Sequence, residues 1–301
     1  MIKRMGLKAY GKINLGLDVI RKREDGYHEV KMVMQTVGIY DGIDLRIREG
    51  SGIHVETNLY YLPNNENNLV WKAADLLMKE FDIRQGVDIR LKKFIPVAAG
   101  MAGGSSDAAA VLYGINKMFR LGLSLEELKE RGVKIGADVP YCLMRGTALS
   151  EGIGEILTPL PSMPQCHVLL AKPNINVSTR WVYENLHANE LPADAHPDID
   201  GMTAAIRNQD LHGVASRMGN VLERVTEKRY PVITDIKQVM MEQGALNAMM
   251  SGSGPTVFGL FEDRLAAKKA YTALRKGRLS DKMKQVYLTD FFNNREVSNG
   301  L

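Results

Sequence analysis

Cysteine is almost missing from this chain: Cys142 and Cys166 stand alone among 301 residues, with no C-x-x-C pair and no His/Cys cluster beside either. That usage excludes a disulfide framework and a cysteine-held structural zinc, and it fits two idle thiols in a reducing compartment. Long apolar runs are missing too. Nothing approaches transmembrane length, and Met1 to Gly6 lead into a polar-interrupted strand pattern rather than an apolar signal core. A cytoplasmic protein with no membrane partner is therefore expected. Charge of one sign is nowhere concentrated: 39 Lys and Arg face 35 Asp and Glu, a net +4, and the longest basic block is Arg21-Lys22-Arg23. A nucleic-acid polyanion calls for a basic stripe with interleaved aromatics, so no nucleic-acid partner is expected, whereas a small phosphorylated ligand suits a modest positive bias. Neither common nucleotide fingerprint occurs: G-x-x-x-x-G-K-[ST] is absent and the glycine spacing never gives G-x-G-x-x-G. Internal repeats and low-complexity tracts are absent as well.

What remains is an ordinary globular composition, 45% apolar and 25% charged, long enough for roughly two domains with real cores. Its most telling stretch is Pro96-Val97-Ala98-Ala99-Gly100-Met101-Ala102-Gly103-Gly104-Ser105-Ser106. Small residues there let backbone N–H groups approach an anion, and the helical pattern Asp107 to Arg120 behind them adds first-turn amides and a positive dipole end. The alternating Val87, Ile89, Leu91 and Ile95 before the loop read as a strand, giving a strand-loop-helix order suited to a nucleotide. From these residues alone two readings stay open, a phosphate cradle and a tight strand-to-helix connection.

Short strand patterns at Leu7 to Ala9, Ile13 to Ile20, Ile43 to Arg48 and Ile53 to Thr57 precede a helix over about Leu69 to Phe81. A helical run at Leu125 to Lys129 leads to Gly136-Ala137-Asp138-Val139-Pro140. Three prolines between Pro159 and Pro164 resist regular structure and set a boundary, giving domains 1–160 and 161–292 and a polar tail 293–301. The second domain reads as a strand at His167 to Ala171, a Pro/Asp-rich loop at Leu191 to Asp200, and helices at Arg180 to Ala188, Asp210 to Val225, Val232 to Gln243 and Leu265 to Arg275. Paired strands Ala245 to Met250 and Thr256 to Phe261 enclose Ser251 to Pro255, and a strand at Gln285 to Thr289 closes the domain. Elements in this order imply an α+β protein.

Three motifs stand in order along the chain: Ala9-Tyr10-Gly11-Lys12-Ile13-Asn14-Leu15, the Pro96 to Ser106 loop, and Gly252-Ser253-Gly254-Pro255. Together they resemble the GHMP kinase superfamily, which implies a two-domain GHMP kinase fold with a ribosomal-S5-like first domain and a ferredoxin-like second domain. Four further segments are Asp25-Gly26-Tyr27-His28, Ala99 to Asp107, Gly136 to Pro140, and Glu151-Gly152-Ile153-Gly154-Glu155. These are similar to the branch that phosphorylates the 2-hydroxyl of 4-diphosphocytidyl-2-C-methyl-D-erythritol in non-mevalonate isoprenoid synthesis. The likeness spans nearly the whole chain, departs from the branch's usual leucine at Met101, and carries no motif in the tail.

The resemblance implies ATP as the phosphoryl donor; ATP chemistry in turn implies Mg²⁺ as the counter-ion of the polyphosphate, and no dedicated carboxylate cage for it is visible in the sequence. Asp138 matches the proton acceptor for the attacking hydroxyl and Lys12 the cation beside it. Taken singly, an Asp two residues before a proline is a cap or turn residue, and a strand lysine is a solvated one. Pro96, Val97, Ala98, Ala99, Gly100, Met101, Ala102, Gly103, Gly104, Ser105 and Ser106 match the phosphate loop, the two serine hydroxyls lying near phosphate oxygens or a hydrated Mg²⁺. Asn68 and Lys93 match the adenine pocket, although an Asn before a helix is also a common cap. Tyr27 and Tyr183 match a pair that sandwiches cytosine, His28 a reader of its edge, Asn14 a substrate contact beside Lys12, and Thr179 a contact near the sugar. Gly252, Ser253 and Gly254 match a second glycine loop under the substrate's diphosphate. Singly, each tyrosine reads as a core or rim aromatic and Asp25-Gly26 as a hairpin turn. The site implied lies between the domains.

A mevalonate- or homoserine-type kinase shares the three superfamily motifs, but a substrate without a pyrimidine gives no reason for Asp25 to His28 with Tyr183. A non-catalytic sugar or nucleotide sensor gives no reason for Lys12 and Asp138. The partners implied are ATP and the cytidyl-methylerythritol substrate, the protein being a monomer or weak homodimer.

Overall fold

The computed structural model describes residues 2–293, so the 293–301 tail lies, apart from Asn293, outside the described residues. The chain begins with β1 (Arg4–Lys22), one continuous strand where the alternation suggests two, since the chain passes Gly11 through an irregular register instead of a loop. A turn at Asp25-Gly26 returns it antiparallel as β2 (His28–Arg48). Sequence patterning catches only Ile43 to Arg48 of that strand. Val30, Met32, Val33, Met34 and Val37 are all buried, so both faces are covered and no alternation survives. The first half continues through β3 (Ile53–Thr57), α1 (Leu69–Glu80), β4 (Gly86–Lys92), α2 (Gly103–Phe119), α3 (Leu125–Val133) and α4 (Val139–Met144), then β5 (Thr147–Glu151) and β6 (Ile156–Pro159). Patterning misses β5 and β6. Pro159 sits at the end of an edge strand, where a missing N–H removes no ladder bond.

The second half comprises β7 (His167–Pro173), α5 (Thr179–Glu184), α6 (Ile199–Arg207), α7 (Leu211–Ser216), β8 (Gly219–Asn220) and α8 (Glu223–Arg229), followed by α9 (Val232–Glu242), β9 (Asn247–Met250), β10 (Val257–Phe261), α10 (Arg264–Lys276) and β11 (Met283–Asp290). The helix expected over Asp210 to Val225 is in fact split by β8. Asn220 causes the break chemically: its side-chain amide donates to Met250 O and Gly252 O, both at 2.8 Å, which a helical position there would not reach. Likewise α6 starts inside the stretch expected to be loop, capped by Asp198 accepting the Gly201 N–H at 2.8 Å.

Among the described residues the first sheet has seven strands, ordered β3-β4-β2-β1-β8 with β5 on β2 and β6 on β5; the second has four, ordered β11-β7-β10-β9 and antiparallel throughout. Helices α1 and α2 pack together, α2 lies on β1 and β2, and α9 and α10 cover the second sheet. Alanines 108 to 110 on α2 are all buried, letting the helix approach the first sheet closely. A separate buried cluster joins the halves, Ile13, Leu15 and Ile95 packing with Leu170, Met202 and Phe258. Each such fully buried side chain contributes about 1.5–3 kcal/mol. Because β8 comes from the second half yet pairs in parallel with Gly16 and Leu17 of β1, the two halves share a sheet edge at the cleft. Among the described residues no helix is long and apolar enough to cross a membrane.

Candidate active site

The loop after β4 curls into a cup through three left-handed residues at alternate positions, Ala98 (φ 50°), Gly100 (φ 73°) and Ala102 (φ 53°). Alanine holds such a conformation at a cost of about 1–2 kcal/mol, so the packing around the cup maintains it. Helix α2 starts at Gly103, ahead of the Asp107 suggested by pattern, and Gly103 to Ser106 form its first turn. Among the described residues no N–H from Val97 to Ser105 donates to a protein acceptor. A bare connection has no need of such a row of open donors, whereas an anion does. The loop also meets the second glycine turn: Ser251 Oγ donates to Gly100 O at 2.9 Å, and a Cβ on Gly100 would overlap the Ser251 carbonyl oxygen.

These elements wall a cavity of about 570 Å³ lined by Pro96 to Gly100 and Ala102 to Ser105, together with Lys12, Asn14, Asp138, Thr179, Tyr183, Gly252 and Ser253. Three expected residues stand behind the wall. Met101 is buried and its carbonyl accepts the Lys12 N–H at 3.1 Å; the Ser106 hydroxyl donates to Tyr10 O at 2.6 Å; the Gly254 N–H donates to Ser251 O at 2.9 Å.

Lys12 reaches the cavity through the irregularity in β1. The register passes from Tyr10 opposite Tyr40 to Lys12 opposite Thr36, so Gly11 alone faces Val37 to Ile39. Such irregularities bend strands and re-aim side chains. Lys12 and Asn14, two residues apart, share a face, and a second slip between Asn14 and Gly16 brings Leu17 onto the same wall. Lys12 Nζ donates to Asn14 Oδ1 at 2.8 Å and lies 3.8 Å from Asp138 Oδ2, in a buried setting where its side chain is 7% exposed. Asp138 occupies the N-cap position of α4, yet its side chain makes no capping hydrogen bond. The carboxylate is turned to the cavity and Lys12 instead. Cys142, on the next turn, is no nucleophile here: burial, and then Asp138, push its thiol far up.

Lys93, expected at the adenine pocket, looks different from what a pocket cation would be. Its side chain, 4% exposed, is paired with Asp41 and with Asp107 at 2.6 Å. Burial works against the ammonium, but Asp107 and Asp41 outweigh it and hold Lys93 above its usual value. Burial raises the Asp107 carboxyl well above the ordinary range although Lys93 opposes it, and Asp107 Oδ1 is buried without a hydrogen-bond partner. Asp41 also accepts from the Phe94 and Ile95 N–H groups, at 2.5 and 2.8 Å, pinning the chain just ahead of the Pro96 to Ser106 loop. Lys93 therefore lines the cavity with its charge already engaged. Asn68 lines it too while capping α1, its side chain accepting the Val70 N–H at 3.1 Å.

The rings of His28 and Tyr183 lie 4.9 Å apart. Tyr183 lines the cavity and Thr179 Oγ1 sits 2.7 Å from Ser253 Oγ. Burial and then Lys22 hold the His28 imidazole below its usual value, which favours its neutral form. Tyr27 is 60% exposed, and neither it nor His28 lines the cavity, although the His28 ring meets Tyr183. Pattern reasoning missed Leu17, Val30, Met32, Leu62 and Pro63 in the lining, whereas Ile153 and Gly154 come from the quoted Glu151 to Glu155 segment, which was given no site role. Apolar wall residues carry no signature of their own. Among the described residues no cluster of His, Cys, Asp and Glu could hold a metal by itself.

The family model described as "GHMP kinases N terminal domain" matches residues 68–146, and "GHMP kinases C terminal" matches residues 202–278. A 4-diphosphocytidyl-2-C-methyl-D-erythritol kinase of Lachnoclostridium phytofermentans is 55% identical over 97% of this chain and 99% of its own length. The chain belongs to the 4-diphosphocytidyl-2-C-methyl-D-erythritol kinase family of GHMP kinases. A second member, from Lachnospira eligens, is 57% identical over 95% of this chain and 98% of its own. A crystal structure of a 4-(cytidine 5'-diphospho)-2C-methyl-D-erythritol kinase superposes with a TM-score of 0.80 at 29% identity, covering 96% of this chain and 100% of that one. A homoserine kinase from Cytophaga hutchinsonii shares the fold, with a TM-score of 0.77 at 21% identity over 98% and 96% of the two chains. The two-domain α+β GHMP kinase fold is thus the fold of this family member.

Proposed function

We propose that this chain transfers the γ-phosphoryl group of ATP to the 2-hydroxyl of 4-diphosphocytidyl-2-C-methyl-D-erythritol, in the cytoplasm, as a monomer or weak homodimer. The observation that carries the reading is the Lys12–Asp138 pair, 3.8 Å apart, in the same cavity as an open cup of backbone N–H groups. Phosphoryl transfer asks a protein for alignment, charge neutralisation and a proton acceptor. Asp138 accepts the proton of the attacking hydroxyl. Lys12, held by Asn14 and 3.8 Å from Asp138, steadies charge on the transferred group. The cup and the α2 N-terminus hold the α- and β-phosphates, and Asn68 with the Lys93 stem borders adenine. Tyr183 stacks on cytosine with Tyr27 closing from outside, His28 addresses the base edge, and Thr179 and the Gly252-Ser253-Gly254 turn support the sugar and diphosphate. Residues 1–160 in this reading hold ATP and the reacting pair, while 161–292 complete the substrate side.

Mg²⁺ fits as a hydrated ion carried on the polyphosphate, since the wall offers oxygen donors at Ser105 and Asp138 but no carboxylate cage. When bound it would neutralise phosphate charge. The test is the purified chain with ATP and Mg²⁺, offered the cytidyl alcohol, mevalonate or homoserine in parallel, with ADP release and product mass recorded. Turnover of the cytidyl alcohol, with a mass gain of one phosphoryl group, is expected. Preferred turnover of mevalonate or homoserine would overturn the reading.

A further inference from the structure

We infer that the segment from Thr289 to Asn293 is a strap that sets the spacing of Lys12 and Asp138, with Phe292 as its principal positioning residue. The inference rests on the kinase reading above and goes beyond it by giving the end of the chain a part in catalysis. Its starting point is the gap in the first sheet. Because Gly11 alone faces Val37, Gly38 and Ile39, this stretch of β2 lacks a full complement of partners on β1 directly behind Lys12. The chain leaving β11 fills that place. Phe291 forms an antiparallel bridge with Val37, and Gly38 lies so close beneath the segment that a Cβ there would sit 2.7 Å from Thr289 Oγ1. The Phe292 N–H then donates to Thr36 O at 2.9 Å, and Asn293 is held by Gln35 Nε2 on its side-chain oxygen at 3.2 Å and by its own amide donating to Met163 O at 2.9 Å.

Thr36 is the residue opposite Lys12 in the β1–β2 register. Its hydroxyl lies 3.0 Å from the Tyr141 phenol oxygen and accepts the Gly146 N–H at 3.0 Å. Tyr141 belongs to α4, the helix whose N-cap is Asp138. One residue thus joins the strand bearing the lysine, the helix bearing the carboxylate and the strap. On the other side the Phe292 ring stacks on Tyr10 with centroids 3.9 Å apart and planes 17° from parallel. Tyr10 O in turn receives the Ser106 hydroxyl from the first turn of α2. Two residues before Lys12, the strand is therefore clamped between the strap and the phosphate helix. Displacing reacting groups by about 1 Å can cost up to roughly 10²-fold in rate, so a clamp at this point acts on turnover more than on affinity.

The experiment compares the full chain with Phe292→Ala, Phe292→Tyr and, should the alanine variant not fold, Phe292→Leu. Phe292→Ala is expected to lower kcat about tenfold or more, with KM for both substrates held within about twofold, and Phe292→Tyr, which keeps the ring, to restore it. A second readout needs no turnover: the ¹⁵N resonance of the Lys12 ammonium, assigned by its loss in Lys12→Arg, shifts in Phe292→Ala and returns in Phe292→Tyr. Wild-type kcat and an unmoved Lys12 resonance in a Phe292→Ala or Phe292→Leu protein that merely melts earlier would overturn the strap. Failure of the kinase reading looks different, because wild-type protein would then not phosphorylate the cytidyl alcohol while the resonance still reports on the strap.

Discussion

Lys12 and Lys93 are both buried in the wall of one cavity, and the difference between them separates chemistry from architecture. Lys93 faces two carboxylates at hydrogen-bonding range, so its charge is matched within the protein. Lys12 touches a neutral amide at 2.8 Å and stands 3.8 Å from a carboxylate that is 35% exposed, so its field reaches into the cavity. A matched buried charge holds elements together; an incompletely matched one is available to a ligand. Lys172 supplies a third case. It is buried with no carboxylate partner among the described residues, donates to Pro173 O and Ile175 O at 3.2 and 2.9 Å, and is pushed down to about 8 by burial and by Lys284.

The largest effect expected is on stability at Lys93. Lys93→Met strands Asp41 and Asp107, and urea unfolding should show a loss of about 3–5 kcal/mol, partly recovered by adding Asp107→Asn. A loss below about 1 kcal/mol, the range of a surface pair, would erase the contrast with Lys12. Next comes Lys12→Met, in which turnover should fall by about 10² or more, with a smaller loss of stability than at Lys93. Tyr183→Ala should weaken the cytidyl ligand by about 1–3 kcal/mol in calorimetric titration and leave ATP unaffected. Equal losses for the two ligands would place the base elsewhere.

A pH effect at Lys172 completes the set. Its folded value lies below that of an unfolded lysine, near 10.4, so between about pH 8 and about 10.4 the unfolded chain binds the extra proton. Stability therefore rises with pH across that window and is flat in this respect below it. The melting temperature of wild type minus that of Lys172→Met should climb across the same window, and a falling difference would contradict the assignment.

Much of this molecule was legible before its fold was known, and for identifiable reasons. The Pro96 to Ser106 loop stands out because its small residues are consecutive in sequence, and Lys12, Asp138 and Gly252 to Gly254 sit in short local motifs. Roles created by tertiary neighbours stayed hidden. Nothing local shows that Lys93 is held by Asp41 from β2 and Asp107 from α2. Patterning equally gave no hint that Asn220 would leave the helical trend to bind the second glycine turn, or that Thr36 would link β1, α4 and the end of the chain. The length of β2 was masked because burial of both faces removes the alternation by which strands are recognised.

The contrast between the lysines rests finally on Asp138, the carboxylate Lys12 faces. The most direct measurement is single-turnover phosphoryl transfer by Asp138→Asn, with ATP binding titrated on the same preparation. The amide keeps the shape of the side chain and removes its proton affinity. Transfer slowed by about 10² or more, with ATP affinity retained, is the result this account requires. Transfer at the wild-type rate would contradict it.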